Sequence, residues 1–174
     1  MALKINSKLL RFLIVSGIIF IAWNAFYDLW LHPDQRVELW MVGQIGAATA
    51  SILEMLGYTL ISSELLQEMY STVGIDGTHG VFISDNCSGI SLMALFTGFI
   101  LAYPGTVKYK LLLIPFGILT IHIINILRIV GLCIMAKHTP SLFELNHHYT
   151  FTVVVYSYIF LLWVLWVNKF ANKA

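Results

Sequence analysis

Four apolar stretches, each near the length of a bilayer crossing, constrain this chain more than any other feature; they run over residues 12–31, 88–107, 111–135 and 149–167. A helix needs roughly 20 mostly apolar residues to cross a hydrocarbon core about 30 Å thick. Helix is the natural state there, because lipid offers no water to pair exposed backbone groups. Only Asn24 and Asp28 interrupt the first stretch. Composition agrees: 59% of the 174 residues are hydrophobic and 11% charged, against roughly 25% charged in soluble domains. Such a chain is neither an ordinary soluble fold nor disordered. A net charge of +1 excludes a broad basic surface for nucleic acid. The expectation is an all-α membrane protein with a single membrane domain over 1–174. No removable signal peptide is expected, since the N-terminal stretch is long enough to stay in the bilayer.

A fifth apolar segment, 40–60, reads differently. Val42, Ile45, Ile52 and Leu56 recur at near-helical spacing, while Gln44 and Glu54 keep it polar on another side. That pattern predicts an amphipathic or re-entrant helix, either interfacial or buried against the others. Further on, Asp76-Gly77 lies between short β-prone runs and predicts a small hairpin.

Charge placement orients the spans. Lys and Arg beside short loops mark the cytoplasmic side. With four crossings, Lys4, Lys8, Arg11, Lys108, Lys110, Lys169 and Lys173 all fall there, with no acidic residue among them. Both termini are then cytoplasmic, and region 32–86 with its hairpin is extracytoplasmic. Were 40–60 also to cross, Lys108, Lys110, Lys169 and Lys173 would land outside, against the rule.

Counting from those lysines places three reactive side chains at one depth. At ~1.5 Å per residue, Cys87 lies roughly 31 Å from Lys108, Arg128 roughly 27 Å from Lys110, and His147 roughly 33 Å from Lys169. All three reach the outer interface from different spans. A thiol, an imidazole and a guanidinium there are a plausible nucleophile, base and electrostatic group. Asp85 or Asn86 can cap the helix that follows, which puts Cys87 in its first turn near the positive helix end; the alternative is a small buried thiol. Arg128 shares a helical stripe with His122 and Asn125, at i−6 and i−3. An embedded charge of this kind faces a cavity or partner, or else snorkels to headgroups. His122 is deeper and reads as a packing or hydrogen-bonding residue. His147 and His148 point about 100° apart on a helix, so only one of them can face the site; on spacing alone, an interfacial polar cap is the slightly favoured reading for both. Cys133 reads as core. His32, His79 and His138 read as loop residues without metal-ligand spacing.

Two other readings use the same residues. An assembly subunit of a polysaccharide export system needs no thiol and treats Arg128 as a headgroup or glycan contact. A membrane thiol oxidoreductase would use Cys87 with Cys133, but these stand in no C-x-x-C arrangement.

Asn86-Cys87-Ser88-Gly89-Ile90, then Asn125-Ile126-Leu127-Arg128-Ile129, then His147-His148-Tyr149-Thr150-Phe151 resemble, in order, the motifs of the exosortase/archaeosortase family of integral-membrane cysteine transpeptidases. The resemblance covers about 74–167, and the chain is similar to a minimal form, since many members have about eight spans. It departs at the histidine motif, where His148 and Phe151 replace the usual acidic residue and glycine; the register favours His147 as the family histidine, with His148 the alternative. The resemblance implies catalytic roles for Cys87, Arg128 and His147, with Asn86, Ser88, Asn125 and His148 supporting or alternative. It implies no cofactor and no metal. The implied partners are secreted proteins with a C-terminal motif, membrane helix and basic tail, the lipid bilayer, and a glycan or lipid acceptor, but no nucleic acid. The implied location is the cytoplasmic membrane, with the site facing outward.

Overall fold

The computed structural model describes residues 7–62, 71–84, 87–143 and 151–170. The described chain is dominated by helices. Helix α1 (Ser7–Phe26) runs on through a π-helical turn, Tyr27–Leu31, and a short helical turn, His32–Asp34. Gln35 then takes a left-handed conformation (φ 53°) and redirects the chain into α2 (Arg36–Met55). A small two-stranded sheet follows: β1 (Thr72–Val73) pairs antiparallel with β2 (Val81–Phe82). Helices α3 (Ile90–Ala102), α4 (Val107–His138) and α5 (Phe151–Leu165) complete the order, the last running into a second π-turn, Trp166–Phe170.

Among the described residues, three helical segments are long and apolar enough to cross a membrane: Leu10–Asp34, Val107–His138 and Val153–Phe170. The expected span 88–107 is a shorter apolar helix. Its 13 residues rise only about 20 Å, less than the ~30 Å of hydrocarbon. Both ends have identifiable causes. Gly89, left-handed at φ 79°, starts it, and Tyr103 turns extended before Pro104 to stop it. The Lys110 ammonium donates to the Leu101 carbonyl at 3.0 Å and satisfies that helix end. Conversely, α4 outruns its expected bounds of 111–135. At 32 residues it is about 48 Å long, and its far end is covered by protein.

That cover is α2 with the hairpin. Val42, Ile45 and Leu53 of α2, Val73, Ile75, Val81 and Ile83 of the hairpin, and Ile129, Val130, Leu132 and Cys133 of α4 form one buried cluster. A second cluster joins Phe96 and Ile100 of α3, Ile121 of α4, and Val155, Ile159, Leu162 and Trp166. Phe12 of α1 adds an aromatic contact, stacked on Trp163 at 5.6 Å between centroids.

Helix α2 buries Glu38, Val42, Ile45, Thr49 and Leu53. The expected face included Ile52 and Leu56; Ile52 is only partly buried, and Leu56 is 59% exposed. The buried stripe passes through Thr49 and Leu53 instead, because the contact surface of the hairpin and α4 selects the face. At its start, the fully buried Glu38 carboxylate accepts from the Tyr27 hydroxyl and lies 3.4 Å from His32 Nδ1, which pins α2 to the π-turn. His32 therefore belongs to a helical turn, and His138 ends α4 beside the Tyr58 hydroxyl at 3.1 Å; neither is the loop residue expected. His79 does lie in a loop.

The hairpin turns at Asp76-Gly77 as expected. The Thr78 N–H closes the turn onto the Ile75 carbonyl at 3.1 Å, with Gly77 at φ 77°. The strands pair at Val73 with Val81, so the connection is the longer loop 74–80. Within it Ile75 bridges antiparallel to Leu60, and the Ile61 N–H donates to the Gly74 carbonyl at 3.1 Å. Gly74 is required here: a Cβ on it would lie 2.5 Å from the Gly80 Cα. The Lys137 ammonium, near the end of α4, donates to the Asp76 carbonyl at 2.7 Å and ties the turn to that helix.

Candidate functional site

The turn before α3 carries Cys87. Its N–H donates to the Ser84 carbonyl at 2.8 Å, and the Ser84 hydroxyl reaches the Cys87 sulfur at 3.4 Å. Ser88 is buried, and its hydroxyl accepts from the Ile90 N–H at 3.4 Å. The residue at the cap position of the helix is Gly89; the expected caps, Asp85 and Asn86, lie outside the described residues. Cys87 stands three residues before the first helical residue rather than in the first turn. The cause is local: Gly89 accepts the left-handed conformation that lets the Cys87–Gly89 segment fold back over α4. Cys87 itself is 6% exposed.

The partner of this turn is Asn125 of α4, which is 1% exposed. Its carboxamide nitrogen donates to the Cys87 carbonyl at 2.6 Å, across 38 residues of sequence. A Cβ on Gly89 would lie 3.4 Å from the same nitrogen, so the turn sits close against the side chain. Asn125 falls on α4 between Ile121 of one buried cluster and Ile129 of the other. The cysteine turn is therefore held where the two cores meet.

His122, Asn125 and Arg128 continue one stripe of α4, spaced three residues apart. All three carry a buried polar atom with no hydrogen-bond partner among the described residues: His122 Nδ1, Asn125 Oδ1 and Arg128 Nε. Arg128 lies about 4.5 Å from Asn125 along the helix axis, toward the hairpin end. Native buried polar atoms are nearly always paired, so three orphans on one stripe are unusual.

The structure thus brings the Cys87 turn onto the helix that carries Asn125 and Arg128. Asn86, His147 and His148 lie outside the described residues. Cys133 is 1% exposed and directs its thiol at the Val73 carbonyl at 3.6 Å, as a packed core residue does. Both cysteines are free. No cluster of three His, Cys, Asp or Glu side chains able to hold a metal occurs among the described residues.

Two features escaped the sequence reading. Ser84 touches the sulfur; its signal was the Ser-Asp-Asn-Cys spacing, one turn upstream. A cavity of about 540 Å³ lies between α1 and α3. It is lined mainly by apolar side chains such as Leu13, Phe20, Trp23 and Leu95, with Ser16, Gly17, Asn24, Ser91 and Gly98 between them, and begins within a turn of the cysteine segment at Ser91. Gly and Ser at such spacing signal close helix approach in a membrane.

Comparison with known families gives a match. The model of the transmembrane exosortase family (Exosortase_EpsH) matches residues 8–165, nearly the whole chain. No curated protein matches the chain, and no solved structure does.

Proposed function

The chain belongs to the transmembrane exosortase family, and from that premise we propose that it is a membrane-embedded cysteine transpeptidase. It cleaves the C-terminal sorting signal of secreted proteins at the outer face of the cytoplasmic membrane and transfers them to an acceptor. The observation that carries this reading is the 2.6 Å hydrogen bond from Asn125 to the Cys87 carbonyl, which anchors the thiol-bearing turn on the helix of Arg128.

In this reading the Cys87 thiolate attacks the peptide carbonyl just outside the substrate's membrane helix. His147, or His148 in the alternative register, takes the thiol proton and returns it to the leaving amine as the C–N bond breaks. Arg128 stabilises the tetrahedral oxyanion or holds the substrate backbone, a task suited to its rigid donor fork. A thioester on Cys87 remains, and an acceptor nucleophile or water resolves it, returning the thiolate. A site at the interface suits the chemistry: the scissile bond must leave its helix, while the apolar helix must stay in lipid.

The dithiol reading has less support, because the Cys133 thiol is turned toward the Val73 carbonyl. The test is direct. A covalent thioester on Cys87, trapped and read by mass spectrometry, supports the transpeptidase. Continued substrate processing by the Cys87→Ala variant overturns it.

A further inference from the structure

The stripe on α4 does more than anchor a loop. A carbonyl oxygen can only accept a hydrogen bond, so the Asn125 atom facing the Cys87 carbonyl is the amide nitrogen, and the carboxamide oxygen is the atom left over. That oxygen is buried and has no partner among the described residues. One turn on, Arg128 Nε is a buried donor in the same condition. Neighbours at i and i+3 on a helix stand about 5–6 Å apart at Cβ. A strand in extended conformation turns the N–H and C=O of one residue toward the same side, where a neighbouring strand pairs with both. The leftover acceptor and donor therefore match the N–H and C=O of a single residue in an extended peptide. Arg128 is only half-buried, so the stripe reaches the surface at its hairpin end.

We propose that Asn125 is a two-sided residue: its nitrogen fixes the Cys87 turn, while its oxygen, with Arg128 Nε, forms a subsite for the backbone of one extended substrate residue beside the nucleophile. This rests on the peptidase reading and deepens it. The subsite reads main chain, not side chain, and requires the substrate to be unwound before it reaches the sulfur. One side chain then sets both halves of the encounter, since the carbonyl it holds and the peptide it receives are fixed to the same carboxamide plane.

The test uses the full chain in phosphatidylcholine vesicles and three alkylating probes for Cys87. These are iodoacetamide, an acetyl-dialanyl chloromethyl ketone, and the same ketone N-methylated at the amide nearest the chloromethyl carbon. The wild type is expected to react with the unmethylated ketone about tenfold faster than with the methylated one, the usual consequence of leaving one buried acceptor unpaired. Asn125→Asp keeps the acceptor and loses the donor. It should shift the iodoacetamide rate through the freed turn yet retain the preference for the unmethylated ketone, whereas Asn125→Ala should lose the preference. A merely structural role predicts parallel changes with all probes and a constant methylation ratio. Equal wild-type rates with both ketones overturn the subsite alone. Labelling by iodoacetamide with none by either ketone removes the peptidase reading and the subsite together. Should Asn125→Ala fail to fold, the wild-type ratio and the Asp variant still decide.

Discussion

The Phe96 ring occupies the space in which a side chain at Gly117 would begin: a Cβ there would lie 2.1 Å from the ring. Phe96 is fully buried in α3, and Gly117 lies on α4 one turn before the buried Ile121. The short helix thus meets the long one ring against backbone. This close approach holds α3 in place and, through it, the cysteine turn at its start. In lipid, such packing replaces the hydrophobic drive that joins helices in water.

Gly117→Ala is accordingly expected to lower thermal stability in detergent micelles. Overpacking of this kind costs about 1–3 kcal/mol. Phe96→Leu alone should also destabilise, but the double variant should recover part of the loss, because the smaller side chain frees the space for the new methyl. Additive losses in the cycle would show that the two residues do not compete for one volume.

Gly74→Ala tests the hairpin in the same way. The clash is with backbone, the Gly80 Cα at 2.5 Å, so no side-chain rotation relieves it. The hairpin should lift from α2 and α4. The expected readout is faster hydrogen exchange at the Ile83 and Ile61 amides, which donate to the Ser71 and Gly74 carbonyls, with protection in α3 and α5 unchanged.

Glu38 offers a different kind of test. Glu38→Ala removes a buried acceptor from the Tyr27 hydroxyl and leaves a void at the junction of α1 and α2. A loss of about 1–3 kcal/mol is expected from the lost hydrogen bond and the void together. Glu38→Gln keeps an acceptor of the same shape and should lose less. Equal stability of all three proteins would mean that the junction is held by other contacts.

The parts of this architecture that were legible in the sequence share one property: they follow from local pattern. The apolar lengths around α1, α4 and α5 and the Asp76-Gly77 turn needed only counting. What was not legible depends on contact between distant segments. Nothing near Ile52 or Leu56 says that Thr49 and Leu53 face inward, because the hairpin decides it. Nothing near Ser88 shows that Gly89 would start α3, because the left-handed turn is held by Asn125, 36 positions further along. Asn125 was visible as a member of the Arg128 stripe, but its bond to the Cys87 carbonyl was not.

The two cysteines should separate cleanly in function. Cys133→Ala trims a buried thiol, costs about 1 kcal/mol for the small void it leaves, and should leave substrate processing intact. Cys87→Ala should abolish processing with little change in melting temperature. Comparable loss of activity in both variants would revive the dithiol reading.

Arg128 is the sharpest test of the chemistry. Its Nε is buried without a partner among the described residues. Lysine at this position would keep the charge, but it replaces a planar fork with a point charge on a flexible stem. If the fork holds an oxyanion or a peptide backbone, Arg128→Lys should be nearly as damaging as Arg128→Ala. A fall of about 10²–10³-fold in turnover is expected in each, as when one donor to a developing oxyanion is removed. If Arg128 only anchors the helix to lipid headgroups, lysine should serve equally well, since it snorkels as readily. Measured turnover in the lysine variant decides between the two: a rate near wild type assigns Arg128 to the lipid, and a rate near the alanine variant assigns it to the substrate.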